Sequence, residues 1–292
     1  MPTYDATVDP GATNTSHALM LELIGVDKTV LDIGCATGYL AQALTARGCT
    51  VSGVEMDPTA AEAARPHLAQ LVVGDLTQLD LAAELAPHTY DVIVLGDVLE
   101  HLPEPVPVLR SVTSLLAPGG SVVISVPNVA HGSVRLALLQ GRWEYRDRGL
   151  LDSTHLRFLT RTSLRALVRD AGLTVVDLRT TTLDPLAGEV LVDAGALPDG
   201  VVDWVRTQPD ALTYQFVLRA MRDDADGVLT AVTADRERIE ERAADLGAEL
   251  ERTRAERDAA IADRARIEET LGWRLLRAPR RAYGELRRRV RP

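Results

Sequence analysis

This 292-residue chain predicts a doubly wound α/β sheet followed by one long C-terminal helix, and three observations carry that reading. From about Thr29 to Leu178, short β-rich runs alternate with helical segments, the rhythm of parallel strands joined by crossover helices. The strands are apolar without alternation, as in Asp91-Val92-Ile93-Val94-Leu95, which suits strands covered by helices on both faces. From Leu229 to Leu271 the apolar period changes to seven residues.

In chain order, Thr29–Ile33 reads as a strand, Gly34–Gly38 as a glycine turn and Tyr39–Arg47 as a helix. Further strands fall at Thr50–Val54, Leu71–Val73, Tyr90–Leu95, Ser121–Val126 and Leu173–Leu178. Helices are expected at Thr59–Ala69, Pro105–Leu116 and Thr162–Ala171, the last capped by Thr162 and ended by Gly172. Residues 179–212 break the rhythm at Asp184-Pro185, Leu197-Pro198-Asp199-Gly200 and Gln208-Pro209-Asp210. They read as a loop with one short helix, returning in a last strand at Thr213–Arg219. A linker over Arg222–Gly227 then opens an Ala/Arg/Glu/Asp-rich stretch. Three segments result: a domain over 1–222, a helix over 228–272 and a tail over 273–292.

One seam of the helix is Val232, Ile239, Leu246, Thr253, Ala260 and Ile267. The other is Leu229, Arg236, Ala243, Leu250, Arg257, Arg264 and Leu271. The two are spaced three and four apart, as coiled-coil core positions are, and point to a homodimer; three arginines weaken the seam. A single solvated helix is the alternative.

Composition, at 46% hydrophobic and 25% charged, is that of a soluble chain. Two cysteines, Cys35 and Cys49, cannot form a disulfide framework and point to a reducing cytoplasm. The first residues lack the basic flank and apolar run of a signal peptide, and no stretch approaches the ~20 apolar residues of a membrane span. Secreted, integral-membrane and collagen-like classes are thereby excluded. Net charge is −10, but Trp273–Pro292 holds eight arginines and one acid, so residues 1–272 carry −17. An acidic body argues against nucleic acid as the main partner.

The turn Val30-Leu31-Asp32-Ile33-Gly34-Cys35-Ala36-Thr37-Gly38 lies where open α/β sheets bind ligands, beyond a strand's carboxyl end. Its Gly-x-x-x-Gly spacing is not the dinucleotide fingerprint, and no Gly-Lys-Ser/Thr follows to make a P-loop. Asp32 immediately before the turn would repel pyrophosphate, so a cationic or amine-bearing ligand fits better. Glu55, ending the second strand, can accept both hydroxyls of a ribose. Asp75, ending the third, can bond an adenine amine. Any one of these acids alone reads as a solvated loop carboxylate; three after consecutive strands describe a nucleoside site.

On those residues the chain resembles, over about 15–220, the class I S-adenosylmethionine-dependent methyltransferases. Val30–Gly38 is similar to their first motif, Gly96-Asp97-Val98-Leu99-Glu100-His101-Leu102 to the fourth-strand motif, and Leu116–Gly120 to the turn before strand five. The resemblance implies a Rossmann-like seven-stranded sheet with an antiparallel last strand, a part that Thr213–Arg219 suits. It also implies S-adenosyl-L-methionine as cofactor, held by Asp32, Gly34, Cys35, Ala36, Thr37, Gly38, Glu55, Met56, Asp75, Leu76 and Asp97.

The sulfonium activates the methyl group, so the protein must align the acceptor, exclude water and, for a hydroxyl, supply a base. His155 is the first candidate and His101 the second. His101 can equally be a helix-start residue that packs locally. Glu100 and His101 can ligate a divalent ion, as the Leu-Glu-His segment of some ubiquinone-pathway O-methyltransferases suggests; two ligands make no strong site, so no metal is assigned. Asp152, His155 and Arg157, beside Trp143 and Tyr145, suit an acceptor that is a sugar or a ring phenol, and otherwise form a salt-bridged loop ordering a lid. His131 and His17 are weaker candidates, His17 belonging to an N-terminal helix over the cofactor.

The stretch from Ser125-Val126-Pro127-Asn128 to Asp152–Phe158 resembles, more narrowly, methyltransferases of bacterial cell-surface polysaccharide synthesis. The Arg/Trp/Leu tail from Leu271 to Pro279 resembles those of glycan-modifying enzymes and suits peripheral contact with the inner face of the membrane; a disordered basic tail is the alternative. The expectation is a cytoplasmic O-methyltransferase of a sugar hydroxyl on a surface glycan or its lipid-linked precursor. Its rivals are methylation of a small phenolic, quinone-precursor or natural-product hydroxyl, and a catalytically idle coiled-coil scaffold.

Overall fold

A computed structural model describes residues 11–86 and 88–269. The first half runs α1 (Ser16–Ile24), β1 (Thr29–Ile33), α2 (Tyr39–Thr45), β2 (Thr50–Glu55), α3 (Pro58–Ala64), β3 (Gln70–Val73), α4 (Leu81–Glu84) and β4 (Tyr90–Gly96). There follow α5 (Pro105–Thr113), β5 (Leu116–Pro127), α6 (Gly132–Leu139), α7 (Arg161–Asp170), β6 (Leu173–Thr182), α8 (Val201–Arg206), β7 (Thr213–Arg222) and α9 (Ala225–Glu269). The seven strands form one sheet in the order β3-β2-β1-β4-β5-β7-β6. The first five are parallel, and β7 runs antiparallel to both β5 and β6. The doubly wound sheet with an antiparallel last strand is therefore present.

The unbroken apolar strands have the reason expected of them. Along β1 and β4, Leu31, Ile33, Ile93 and Leu95 enter one core, with Leu109 of α5 and Leu164 of α7. Their sequence neighbours Val30, Val92 and Val94 enter the other, with Leu23 of α1 and Leu44 of α2. Successive side chains point to opposite faces of a strand, so two helical layers leave no face for polar residues.

Several boundaries move, each for a physical reason. α3 stops at Ala64 rather than Ala69, giving way to a 3-10 turn over Arg65–His67 that contains Pro66, a residue without the N–H that the helix needs. α7 is capped by Thr160, not Thr162: Thr160 and Ser163 exchange hydrogen bonds in a capping box. Helix α5 ends at Thr113, and Leu116 already pairs with Tyr90, so strand five starts before the glycines that were read as a turn ahead of it. Strands β6 and β7 extend to Thr182 and Arg222, taking residues 179–182 out of the expected loop. Helix α6 has no counterpart in the sequence reading.

Beyond the carboxyl end of β5, residues 128–160 and 183–212 fold over the sheet around two small apolar clusters, Val134, Leu150, Leu151 and Val190 in one, Leu136, Val205 and Ala211 in the other. Buried Asn128 fastens both segments to the sheet. Its amide donates to the carbonyls of Asp210 (3.0 Å) and Thr213 (2.8 Å), while its Oδ1 accepts from the Ala130 N–H. Arg161 pairs with Asp210 and stacks over the Phe216 ring.

The chain divides into two compact units, 1–234 and 235–292. Helix α9 begins at Ala225, ahead of the expected 228, and its described residues run to Glu269. The tail over 273–292 and the last seam residue, Leu271, lie outside the described residues. No described helix is long and apolar enough to cross a membrane.

Replacing Asn128 by Ala strands the buried Thr213 carbonyl and the Ala130 N–H, and leaves the Asp210 carbonyl with the Thr213 N–H as its donor. The expected destabilisation is about 2–4 kcal/mol, read as a fall in the thermal midpoint of roughly 5–15 °C. A midpoint within 1 °C of the parent would show that Asn128 fastens nothing.

Candidate active site

The carboxyl ends of β1 and β4 border a small cleft, bounded by His17 and Met20 of α1, Asp32, Tyr39 and Asp97. Two glycines shape the turn beside it: Gly34 lines the cleft, and Gly38 lets the turn approach α3. A Cβ on Gly34 would stand 2.8 Å from Cγ2 of Val98, and one on Gly38 would stand 2.9 Å from Cα of Ala64. Both have positive φ, +73° and +80°, where side chains are disfavoured. Between them Ala36 takes φ 48° in spite of its Cβ. Its N–H donates to Oε2 of Glu55 at 2.9 Å, and Oε1 of Glu55 accepts the Asp57 N–H at 2.8 Å. The Glu55 carboxylate thus ties the glycine turn to the end of β2.

Asp32 is buried at 3% exposure, and its Oδ2 has no partner among the described residues. Burial, and then the charge of Glu55, push its carboxyl up to about 7. Such a group favours a cation at its side, because ionisation without one leaves a bare charge in a poor solvent. Asp97 adopts φ 56° and is held by Ser125 Oγ (3.1 Å) and Gln215 Nε2 (2.7 Å), both donating to Oδ1. Burial raises its carboxyl too, against those two hydrogen bonds and the neighbouring His17 and His101. His17 packs edge-on to Tyr39, as an N-terminal helix over the cleft requires. Burial raises the Cys35 thiol, which therefore stays a thiol. Asp75 is exposed, with Oδ1 accepting from the Thr77 N–H and hydroxyl; Met56 is exposed and Leu76 half-buried.

Past β4 the chain makes a 3-10 turn over Leu99–His101, and the segment before α7 returns to meet it. The His101 and His155 rings meet edge-on, centroids 4.8 Å apart. His101 Nδ1 lies 3.1 Å from Thr154 Oγ1 and 3.3 Å from the Thr154 carbonyl. The Thr154 hydroxyl donates to Asp152 at 2.6 Å, so neither Thr154 oxygen has a proton to give the ring. Nδ1 must therefore carry the hydrogen, which leaves Nε2 as the lone-pair nitrogen. Asp152 is buried and also holds the Thr154 N–H. Burial, then His101, lower His155, so this ring is neutral at pH 7.

Glu100 is 1% exposed with both carboxylate oxygens unpartnered among the described residues, and burial raises it strongly. One donor atom each of Glu100, His101 and His155 lie within 4.8 Å of one another. A carboxylate and two imidazoles form a donor set that fits a divalent ion; the sequence offered only two of the three.

The aromatic side chains gather on one flank: Trp143 packs edge-on against Phe158 (5.1 Å) and Tyr145 (6.3 Å), and Phe158 lies 6.3 Å from His155. Arg157 is engaged elsewhere, donating to the Pro103 carbonyl and pairing with Glu104. His131 is fully buried and bonded at both nitrogens, to Ser133 Oγ and the Leu183 carbonyl. It caps α6 and has no free nitrogen for catalysis. Gln215 went unnoticed in the sequence, and Thr154 and Phe158, within the Asp152–Phe158 segment, were given no role of their own.

A family model described as a methyltransferase domain matches residues 12–178. The chain belongs to this family. S-adenosyl-L-methionine is its methyl donor. Among similar proteins, the ubiquinone biosynthesis O-methyltransferase of Stutzerimonas stutzeri is 36% identical over 165 residues, 54% of this chain and 70% of that protein. The protein of the same name from Pseudomonas paraeruginosa is 37% identical over 164 residues, again 54% and 70%. Similar solved structures include CcbJ methyltransferase of Streptomyces caelestis (18% identity, TM-score 0.49, 75% of this chain and 94% of that one). Another is magnesium protoporphyrin IX methyltransferase of Synechocystis with bound SAH (16%, 0.48, 71% and 81%). The narrower resemblance to polysaccharide-associated enzymes finds no support in these relatives.

Asp32 predicts a pH signature for the ligand-free protein. Its native carboxyl keeps a proton between about pH 4 and about 7, where the unfolded chain has lost it. Its contribution to stability is thus present at low pH and disappears as pH rises to about 7, on the order of 3–4 kcal/mol in all. Asp32→Asn should remove that slope and raise the thermal midpoint at pH 8, while weakening donor binding. Parallel midpoint-versus-pH curves for parent and variant would refute the assignment.

Proposed function

We propose that the protein O-methylates a ring hydroxyl of a small phenolic, quinone-precursor type of acceptor. The observation that carries this reading is the His101–His155 pair, its Nε2 lone pair on His101 set by Thr154, beside the aromatic flank of Trp143 and Phe158. A flat aromatic acceptor is matched by such a flank, and its hydroxyl needs a base. The relatives named as ubiquinone biosynthesis O-methyltransferases favour the same acceptor class over the sugar hydroxyl that the sequence suggested.

In this reading Asp32 and Asp97 face the cationic donor, Glu55 takes the ribose diol and Asp75 the adenine side, over the backbone of Gly34–Gly38. His101 accepts the acceptor's proton through Nε2, Asp152 and Thr154 act as positioning residues, and His155 packs against the base. Glu100, His101 and His155 would hold a divalent ion only through the same Nε2 of His101, so the two roles exclude one another: with an ion bound His101 would be a ligand, and the ion would supply Lewis-acid polarisation of the acceptor oxygen in place of the base.

Methyl transfer from labelled donor is expected to a catechol ring acid and not to a lipid-linked glycan; the reverse preference overturns the acceptor assignment. His101→Ala should lower kcat by about 10²–10⁴ while S-adenosylhomocysteine still binds within twofold by calorimetry. Unchanged turnover removes His101 as base. Transfer that persists in a chelator is the outcome expected of His101 as base; loss on chelation, recovered by added Mg²⁺ or Zn²⁺, would make His101 a ligand and overturn that role.

A further inference from the structure

Helix α9 leaves its apolar seam exposed. Ile239 is 69% exposed, Leu246 56%, Leu250 51% and Ile267 57%, although each recurs at heptad spacing. Isolated apolar residues on a surface need no explanation, but a stripe that holds one period along a helix of 45 residues, about 65 Å long, does. Because a d position follows its a by three residues, Leu229, Arg236, Ala243, Leu250, Arg257 and Arg264 are a positions. Val232, Ile239, Leu246, Thr253, Ala260 and Ile267 are then d positions. The stretch from Ile239 to Leu250 is the continuous apolar centre.

The three arginines that interrupt the a seam share a feature that decides what covers it. Each is preceded by an acid: Asp235 before Arg236, Glu256 before Arg257, Asp263 before Arg264. The residue before an a position is a g position, on the rim of the interface. In a parallel pair of identical helices in register, the a residue of one chain lies beside the g residue preceding the same a position of the other. All three arginines would then meet an acid, twice over by symmetry. A long side chain at a reaches the rim while its stem lies on the seam. Two strands leave that rim open, whereas three or four would enclose the guanidinium and favour its removal.

We propose that α9 pairs with α9 of a second copy of this chain as a parallel, in-register, two-stranded coiled coil, its register set by the a-position arginines and the acids before them. The partner is fixed by self-complementarity: each seam cation and the acid before it are on the same helix, one residue apart, and within one chain Arg236 pairs with Glu240 and Arg257 with Asp258.

Full-length protein should sediment at twice the 31.6 kDa chain mass. The double variant Leu246→Glu/Leu250→Glu should sediment as a monomer with the helical circular dichroism of unit 1 and S-adenosylhomocysteine binding retained. Arg257→Glu should weaken the dimer about tenfold or more, and Glu256→Arg combined with it should restore the affinity. Two single replacements read the direction: Leu246→Cys and Ile267→Cys should each form a disulfide-linked dimer in a glutathione redox buffer, against a parent in which Cys35 and Cys49 are buried. A monomeric parent at 100 µM, a trimer or tetramer, or cross-linking at only one of the two cysteines overturns the proposal.

Discussion

A carboxylate without a counterion organises the donor half of this molecule. Asp32 ends β1 at the centre of the sheet, nearly inaccessible, with one oxygen unpaired and Glu55 as a neighbour of the same sign. Left alone, that arrangement disfavours the ionised native state; a ligand carrying positive charge reverses the balance, because it replaces the missing solvation. The surrounding backbone makes the arrangement durable. Glu55 holds the glycine turn through the Ala36 N–H, the glycines admit backbone where a Cβ would collide, and Ala36 sits in a conformation that only such a clamp sustains. Local instability at this point is of a kind that a cation bound beside Asp32 would relieve.

The last strand connects this point to the rest of the fold. β7 lies between β5 and β6, so Gln215 reaches Asp97 at the tip of β4, while Asn128 and Arg161 tie the segments above the sheet to the chain around 210–213. Asp97 is held from two strands, and the His101 turn follows it within four residues. The cleft and the His101 turn thus share the carboxyl end of β4, and His155 is brought to them by the segment before α7.

The seven strands and the three strand-end acids were legible because each rests on a local signal, apolar runs between helical periods and acids at strand ends; the antiparallel last strand came from the family resemblance. What escaped had no such signal. Helix α6 carries exposed Leu138 and Leu139 and is capped by a histidine, so neither period nor capping chemistry announced it. Thr160 and Thr162 offer the same side chain two residues apart, and only the reciprocal bond with Ser163 chooses between them. His101 and His155 were both singled out, but their contact depends on the fold of the intervening segment, as does the addition of His155 to Glu100 and His101. Arg157 illustrates the opposite failure: a cation near candidate catalysts turned out to brace Pro103 and Glu104.

The family match also divides the chain in a way that bears on acceptor choice. It covers residues 12–178, hence the donor cleft, the His101 turn and the returning segment with His155. Residues 183–212 lie outside it, yet Val190 and Val205 pack under the same apolar clusters that support α6 and the segment before α7. Glu189 accepts from the Leu150 N–H at 2.8 Å and from the Tyr214 hydroxyl at 2.9 Å, joining the two segments directly. Substitutions in 183–212 can therefore move the aromatic flank without touching a donor contact. With the strand-end acids holding the donor as proposed, acceptor selection would fall to the packing of these outer segments, and relatives could share the donor chemistry while differing in what they methylate.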